Sequence, residues 1–286
     1  MVGDHFVTEH LKHMPLRIAR VFLGALVLTL GHLYARDLKV QEPTVRASVR
    51  PVFGKLLNER VLRAIEEMPV GGGYAVNRLA SVALGRSISS GPNGTLLVDA
   101  RKAQPSYCSG ATYLVFLKAL KSEIDEIAPE RQIGLTNCFK VSWQTDGTGV
   151  WGRWNSNGPC MAVLLAESGM GFSFWDYEQA LPGDFLKLWW KDPIGRDEAG
   201  HSVVFLGYGD TAEGEKGIEI WSSNKPNGYR KKVVPFSKIH HAVFSRCDHP
   251  ERVGNLANLA ERSEVLAGML QKNITCDEAN ALIRRE

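Results

Sequence analysis

The chain has 286 residues, 44% of them hydrophobic, which is ample for a large buried core, so a globular protein is expected. Its 34 basic and 31 acidic residues leave a net charge of only +3, and no Lys/Arg cluster is interleaved with aromatics, which excludes nucleic acid as a partner. No internal repeat, low-complexity run or sustained heptad is present.

In chain order, the first distinctive stretch is the basic Met14–Arg20, which leads into the apolar Val21–Leu30. A basic segment before an apolar run of about ten residues has the grammar of a signal peptide, whereas a membrane-spanning helix takes about twenty. Residues 1–35 are therefore expected to be a signal peptide or N-terminal anchor, with the rest periplasmic or secreted and membrane contact only through that anchor. Residues 36–95 read as a helical N-terminal segment. Leu56, Leu57, Val61, Leu62, Ile65 and Met68 recur at helical spacing until Pro69 and the triple glycine Gly71-Gly72-Gly73 stop the pattern. The glycines read as a flexible turn; a phosphate loop would need Gly-Lys-Ser/Thr after them. A second short helix is expected over 77–85, then a loop and the apolar Leu96-Leu97-Val98.

Pro105-Ser106-Tyr107-Cys108-Ser109-Gly110 places a cysteine where a loop turns into an apolar helix. The N–H groups of a helix's first turn have no intrahelical acceptors, and the dipole adds positive potential, so a thiolate is favoured there. Further on, 143–158 is glycine-rich and carries Trp143, Asp146, Trp151, Trp154 and Asn155. Such residues on a loop suit a substrate rim; the alternative is tryptophans that cap the core. A short helix over 159–168 follows.

The period then changes to two. Pro182-Gly183-Asp184 reads as a turn, 185–190 as a strand, 191–200 as a polar loop, and 201–208 as a strand opened by His201. Further strands are expected at 217–221, 229–234 and 242–246. Five consecutive strands with short connections, preceded by helices, predict an α+β protein whose cysteine-bearing helix packs on an antiparallel sheet of about five strands. Residues 249–286 are expected to be a helical extension over 253–270 and 278–285, with Thr275 and Glu278 forming a capping box. His240, His241, Cys247 and His249 lack Cys-x-x-Cys or His-x-x-x-His spacing, so no metal and no cofactor is expected.

Four local sequences, in order, resemble one group of enzymes. Tyr107-Cys108-Ser109-Gly110 resembles the Asp-Cys-Ser-Gly of NlpC-type cell-wall peptidases. Pro182-Gly183-Asp184-Phe185 and Gly200-His201-Ser202-Val203-Val204-Phe205-Leu206-Gly207 resemble that family's Pro-Gly-Asp-Leu and His-Val-Gly-Ile-Tyr-Leu-Gly strands. Ile218-Glu219-Ile220-Trp221-Ser222-Ser223-Asn224 is similar to the strand that carries the third residue in the related CHAP amidases. Tyr107 stands where the family has Asp, the upstream Pro-Tyr-x-x-Gly-Gly is absent, and the segment between Cys108 and His201 is long.

The resemblance implies a papain-like catalytic domain over 96–248, with Cys108 as nucleophile, His201 as its base, and Asn224 or Ser222 orienting the imidazole. Gln104 or Tyr107 would assist the oxyanion. The implied activity is a cysteine peptidase or amidase acting on peptide amides, in peptidoglycan above all. Alternatives are an acyltransferase that uses the same thioester, or a non-catalytic envelope-binding module. Export would permit disulfides, and Cys138 with Cys160 and Cys247 with Cys276 is the expected pairing among three.

Overall fold

Apolar residues on alternate sides of 185–247 give strands that are buried on both faces. In the computed structural model, which describes residues 57–140 and 148–284, all five expected strands form. The expected leader at 1–35, the first part of the helical segment, Trp143 and Asp146 lie outside the described residues. Among the described residues, no helix is long and apolar enough to cross a membrane.

The helices are α1 (Asn58–Glu66), α2 (Arg78–Ser87), α3 (Cys108–Ala119), α4 (Lys121–Asp125), α5 (Pro129–Phe139), α6 (Cys160–Ser168), α7 (Glu264–Gly268) and α8 (Cys276–Ile283). The strands begin with β1 (Gly71–Gly72), β2 (Ile88–Ser90), β3 (Leu96–Val98), β4 (Gly171–Phe174), β5 (Phe185–Trp189) and β6 (Ile194–Gly195). They continue with β7 (His201–Asp210), β8 (Lys216–Asn224), β9 (Gly228–Pro235), β10 (His241–Cys247) and β11 (Asn273–Ile274). Seven of them form one sheet in the order β1-β9-β8-β7-β5-β10-β4, antiparallel throughout. The class is α+β.

Phe185, Trp189, Val204, Trp221 and Val243 join the large core shared with the helices, while Leu186, Leu188, Val203, Phe205, Ile220 and Phe244 fill a smaller cluster. Helix α3 packs on β7 and β8 and is apolar nearly all round. Its Leu114, Val115, Phe116 and Leu117 are fully buried, each contributing about 1.5–3 kcal/mol of transfer free energy, and this fixes the N-terminus of α3 against the sheet. The described residues belong to one compact unit, and α1, α7 and α8 contribute Val61, Leu266 and Ile283 to the same core as α3.

The two strands beyond the expected five lie at the edges, where sequence signals are weakest. The triple glycine is no flexible turn: Gly71 and Gly72 have φ of +80° and +85° and pair with Tyr229 and Gly228 of β9. A Cβ at Gly72 would lie 2.4 Å from Cδ of Gln104, so only glycine lets that side chain lie on the strand. At the C-terminus the expected helix over 253–270 is instead a 3-10 segment, Pro250–Asn258, and the short α7. The capping box of α8 forms, with Thr275 Oγ1 accepting from Glu278 N at 3.2 Å and Glu278 Oε2 accepting from Thr275 N at 2.8 Å.

Neither expected disulfide forms. Cys138, Cys247 and Cys276 are thiols. The Cys138 thiol turns back on its own helix and donates to the Leu135 carbonyl at 2.8 Å, while Cys247 is buried at the end of β10.

The Pro-Gly-Asp turn is a structural latch. Asp184 is fully buried and accepts from Arg246 Nε at 2.8 Å and Nη2 at 2.6 Å, from Asn58 Nδ2 at 2.8 Å and from Leu181 N at 2.8 Å. It thereby ties β5, β10 and α1 together. Asp184→Ala leaves the Arg246 charge partly buried without its partner and is expected to cost about 3–5 kcal/mol. Urea unfolding should show a lower midpoint at unchanged slope, and a loss below about 1 kcal/mol would reduce the latch to a surface-type pair.

Candidate active site

Cys108 is the first residue of α3, preceded by Tyr107 in an extended conformation at the cap. His201 opens β7, and Asn224 closes β8. Residues 93 and 116 positions from the cysteine in sequence thus meet because β7 and β8 pair antiparallel and both pack under α3.

The histidine's orientation is over-determined. Asn224 donates both amide hydrogens, to the Ser222 carbonyl at 3.1 Å and the Arg230 carbonyl at 3.0 Å. Its Oδ1 therefore faces Nε2 of His201, 3.0 Å away, and Nε2 must carry the hydrogen. That leaves Nδ1 to accept a proton from the Cys108 sulfur, which His201 hydrogen bonds together with the backbone N–H of Ser202. Ser222, the alternative third residue, is buried with its hydroxyl donating to the Ser202 carbonyl at 2.7 Å. It supports the strand rather than the imidazole.

Burial acts to raise the Cys108 thiol pKa, but the charge and hydrogen bond of His201, the charge of Lys187 and the Ser202 N–H outweigh it and bring the thiol down to about 7. The thiols of Cys138, Cys247 and Cys276 go the other way, pushed up chiefly by burial. The structure thus brings Cys108, His201 and Asn224 together, a lowered thiol beside an imidazole whose ring is oriented from behind, an arrangement able to support nucleophilic chemistry.

Of the oxyanion candidates, Tyr107 is only 3% exposed, and its ring packs beside Gly110 within α3. Gln104 is half-buried against Gly72, four residues before the cysteine. The expected substrate rim is not assembled as such. Trp151 is fully buried, 4.8 Å from Phe116 and 5.1 Å from Phe185 between ring centroids, because its bulk fills the space between α3 and β5. Asn155 is fully buried and donates to the Leu266 carbonyl at 2.8 Å. Trp154 is half-buried beneath the guanidinium of Arg262, 5.2 Å from its ring centroid. These three hold the C-terminal segment and the core together.

The loop nevertheless serves the site from below. Ser156 donates its hydroxyl to Ser109 Oγ at 3.1 Å and its carbonyl accepts from Lys187 Nζ. Lys187, which sequence reasoning missed, is 4% exposed in the middle of β5 and pairs in register with Ser202. Its signal was legible: a lone lysine inside the apolar Phe-Leu-Lys-Leu-Trp run of a strand buried on both faces. Trp190 was missed as well; it is 40% exposed, with its ring 6.1 Å from that of His201.

Lys187→Met keeps the volume but removes a charge that stabilises the thiolate. The Cys108 pKa should rise, so the thiolate fraction at neutral pH falls and alkylation by iodoacetamide at pH 7 slows roughly two- to tenfold. An unchanged pH–rate profile would show that the Lys187 charge is not felt at the sulfur.

Compared with known protein families, with curated proteins and with solved structures, the chain matches none.

Proposed function

We propose that the chain is an exported cysteine amidase or peptidase of papain-like, NlpC/CHAP-type architecture that cleaves peptide amides of the cell wall. One observation carries this reading: Asn224, pinned by two carbonyls, orients His201, which hydrogen bonds a Cys108 thiol lowered to about 7 at a helix start. The order of nucleophile on a helix, base at the mouth of a strand and amide on the next strand is supported by the four local sequence resemblances. The basic and apolar N-terminal stretch supports export, and export supports a substrate outside the cytoplasm.

In this mechanism the Cys108 thiolate attacks the amide carbonyl carbon, and a C–S bond forms as the carbonyl π electrons move to oxygen. The backbone N–H of Cys108, at the start of α3, and the Gln104 amide stabilise the oxyanion. His201, as imidazolium, delivers its proton to the nitrogen as the C–N bond breaks, which leaves a thioester and a neutral imidazole. A water then attacks the thioester while His201 takes its proton, and Cys108 departs as thiolate. Asn224 holds the ring in the tautomer that both half-reactions need.

Purified peptidoglycan incubated with wild-type protein should release peptide fragments with new termini in the mass spectrum, whereas Cys108→Ala protein should release none. Intact peptidoglycan after prolonged incubation with a folded wild-type protein would remove the cell-wall substrate from the reading.

A further inference from the structure

At the end of the sheet nearest Trp190, the loop after β5 meets the start of β10. Among the described residues, Asp192, His240 and His241 bring one carboxylate oxygen and two imidazole nitrogens within 4.8 Å of one another. Asp192 Oδ1 lies 3.2 Å from Nε2 of His240 and 3.1 Å from Nε2 of His241. The two adjacent histidines would project to opposite sides of a regular strand. Here His240 stands just outside β10, its N–H donating to the Trp189 carbonyl at 2.9 Å, and the two rings stand edge-to-face at 4.5 Å and 84° with both Nε2 atoms on the same carboxylate oxygen.

We infer that Asp192, His240 and His241 form a surface site for a divalent cation of the zinc class. Zinc bonds to nitrogen and oxygen are about 2.0–2.1 Å long, so donor atoms in a tetrahedral complex lie about 3.3 Å apart, close to the two separations found here. Two imidazoles and one carboxylate suit a first-row transition ion rather than Mg²⁺ or Ca²⁺. The Asp192 side chain is 80% exposed and that of His240 49% exposed, so an ion can enter and keep a water as its fourth ligand. His241, at 17%, anchors the site to the sheet through its register with Trp189. A bound ion clamps the loop after β5 to β10, two residues beyond the Trp190 that lies beside His201. Sequence spacing hides the arrangement, because Asp192 is supplied from another strand end.

Zn²⁺ also has affinity for a cysteine–histidine pair, so the test is made on the Cys108→Ala full-length chain. Equilibrium dialysis against Zn²⁺ should retain one equivalent on Cys108→Ala. Loss of a residue that only hydrogen bonds a metal ligand costs about 10–100-fold in metal affinity, so replacing both histidine ligands, His240→Ala with His241→Ala, should weaken binding at least about 100-fold. Asp192→Asn, which keeps the shape and removes the charge, should weaken it as well. Circular dichroism establishes that the variants are folded. The inference is overturned if Cys108→Ala retains no Zn²⁺ while wild type does, which would place the ion on the Cys108–His201 pair. It is equally overturned if neither protein binds the ion, or if removing both histidines leaves binding unchanged.

Discussion

Cys108→Ala and His201→Ala are each expected to abolish release of peptide fragments from peptidoglycan while leaving the fold intact. In the proposed reaction the sulfur makes the bond to carbon, and among the described residues the adjacent serine hydroxyls are engaged elsewhere: Ser109 accepts from Ser156, and Ser106 donates to Ser223 at 2.7 Å. His201 lowers the thiol and, in the proposed mechanism, carries the proton to the leaving nitrogen, so its loss should remove two steps at once. Because the residues act as a unit, the double variant should be no worse than either single one. A folded Cys108→Ala protein that still cleaves would end the assignment.

Asn224→Ala is expected to lower kcat by about 10- to 1000-fold, which corresponds to about 1.4–4 kcal/mol of transition-state stabilisation. Asn224 touches no reacting atom. It fixes the ring through a single 3.0 Å hydrogen bond and is itself fixed by the carbonyls of Ser222 and Arg230. Its removal lets the imidazole rotate and exchange tautomers, which slows chemistry but not substrate binding, so KM should change little. Asn224→Asp offers a second readout: its carboxylate still accepts from Nε2 of His201 but loses the two bonds donated to the Ser222 and Arg230 carbonyls, so it should recover activity only in part. Equal activity of Asn224→Ala and wild type would shift the orienting role elsewhere, and Ser222, committed to the Ser202 carbonyl, is poorly placed for it.

How much of this was legible from residues alone differs from one element to the next. The five central strands and the helix of Cys108 carry strong periodic signals, and the structure forms them where the pattern puts them. Strand order put the partner of His201 at the end of the next strand, but Asn224 and Ser222 share one side-chain parity there, and only the tertiary hydrogen bonds separate them: Asn224 meets His201, while Ser222 donates to the Ser202 carbonyl. The edge strands were not legible. Gly71-Gly72 has no side chain to show a period, and its role depends on Gln104, a residue distant in sequence. The tryptophan-rich loop was misread in part for the converse reason: Trp151 and Asn155 look like surface ligands by type, and only the tertiary packing of Phe116, Phe185 and Leu266 makes them interior. Lys187 shows what a closer look at polarity inside an apolar strand would have recovered. No pattern of spacing could have joined Asp192 to His240 and His241, since their meeting is decided by the register of β5 with β10.

The most direct test needs no substrate: the pH dependence of iodoacetamide alkylation at Cys108 alone, followed by peptide mass spectrometry. Below pH 7 the sulfur should be held as thiol and react slowly. The rate should rise to half its maximum near pH 7 in wild-type protein, with the midpoint displaced upward in His201→Ala. A midpoint near the ordinary thiol value of about 8.5, identical in both proteins, would contradict the assignment of Cys108 and His201 as nucleophile and base.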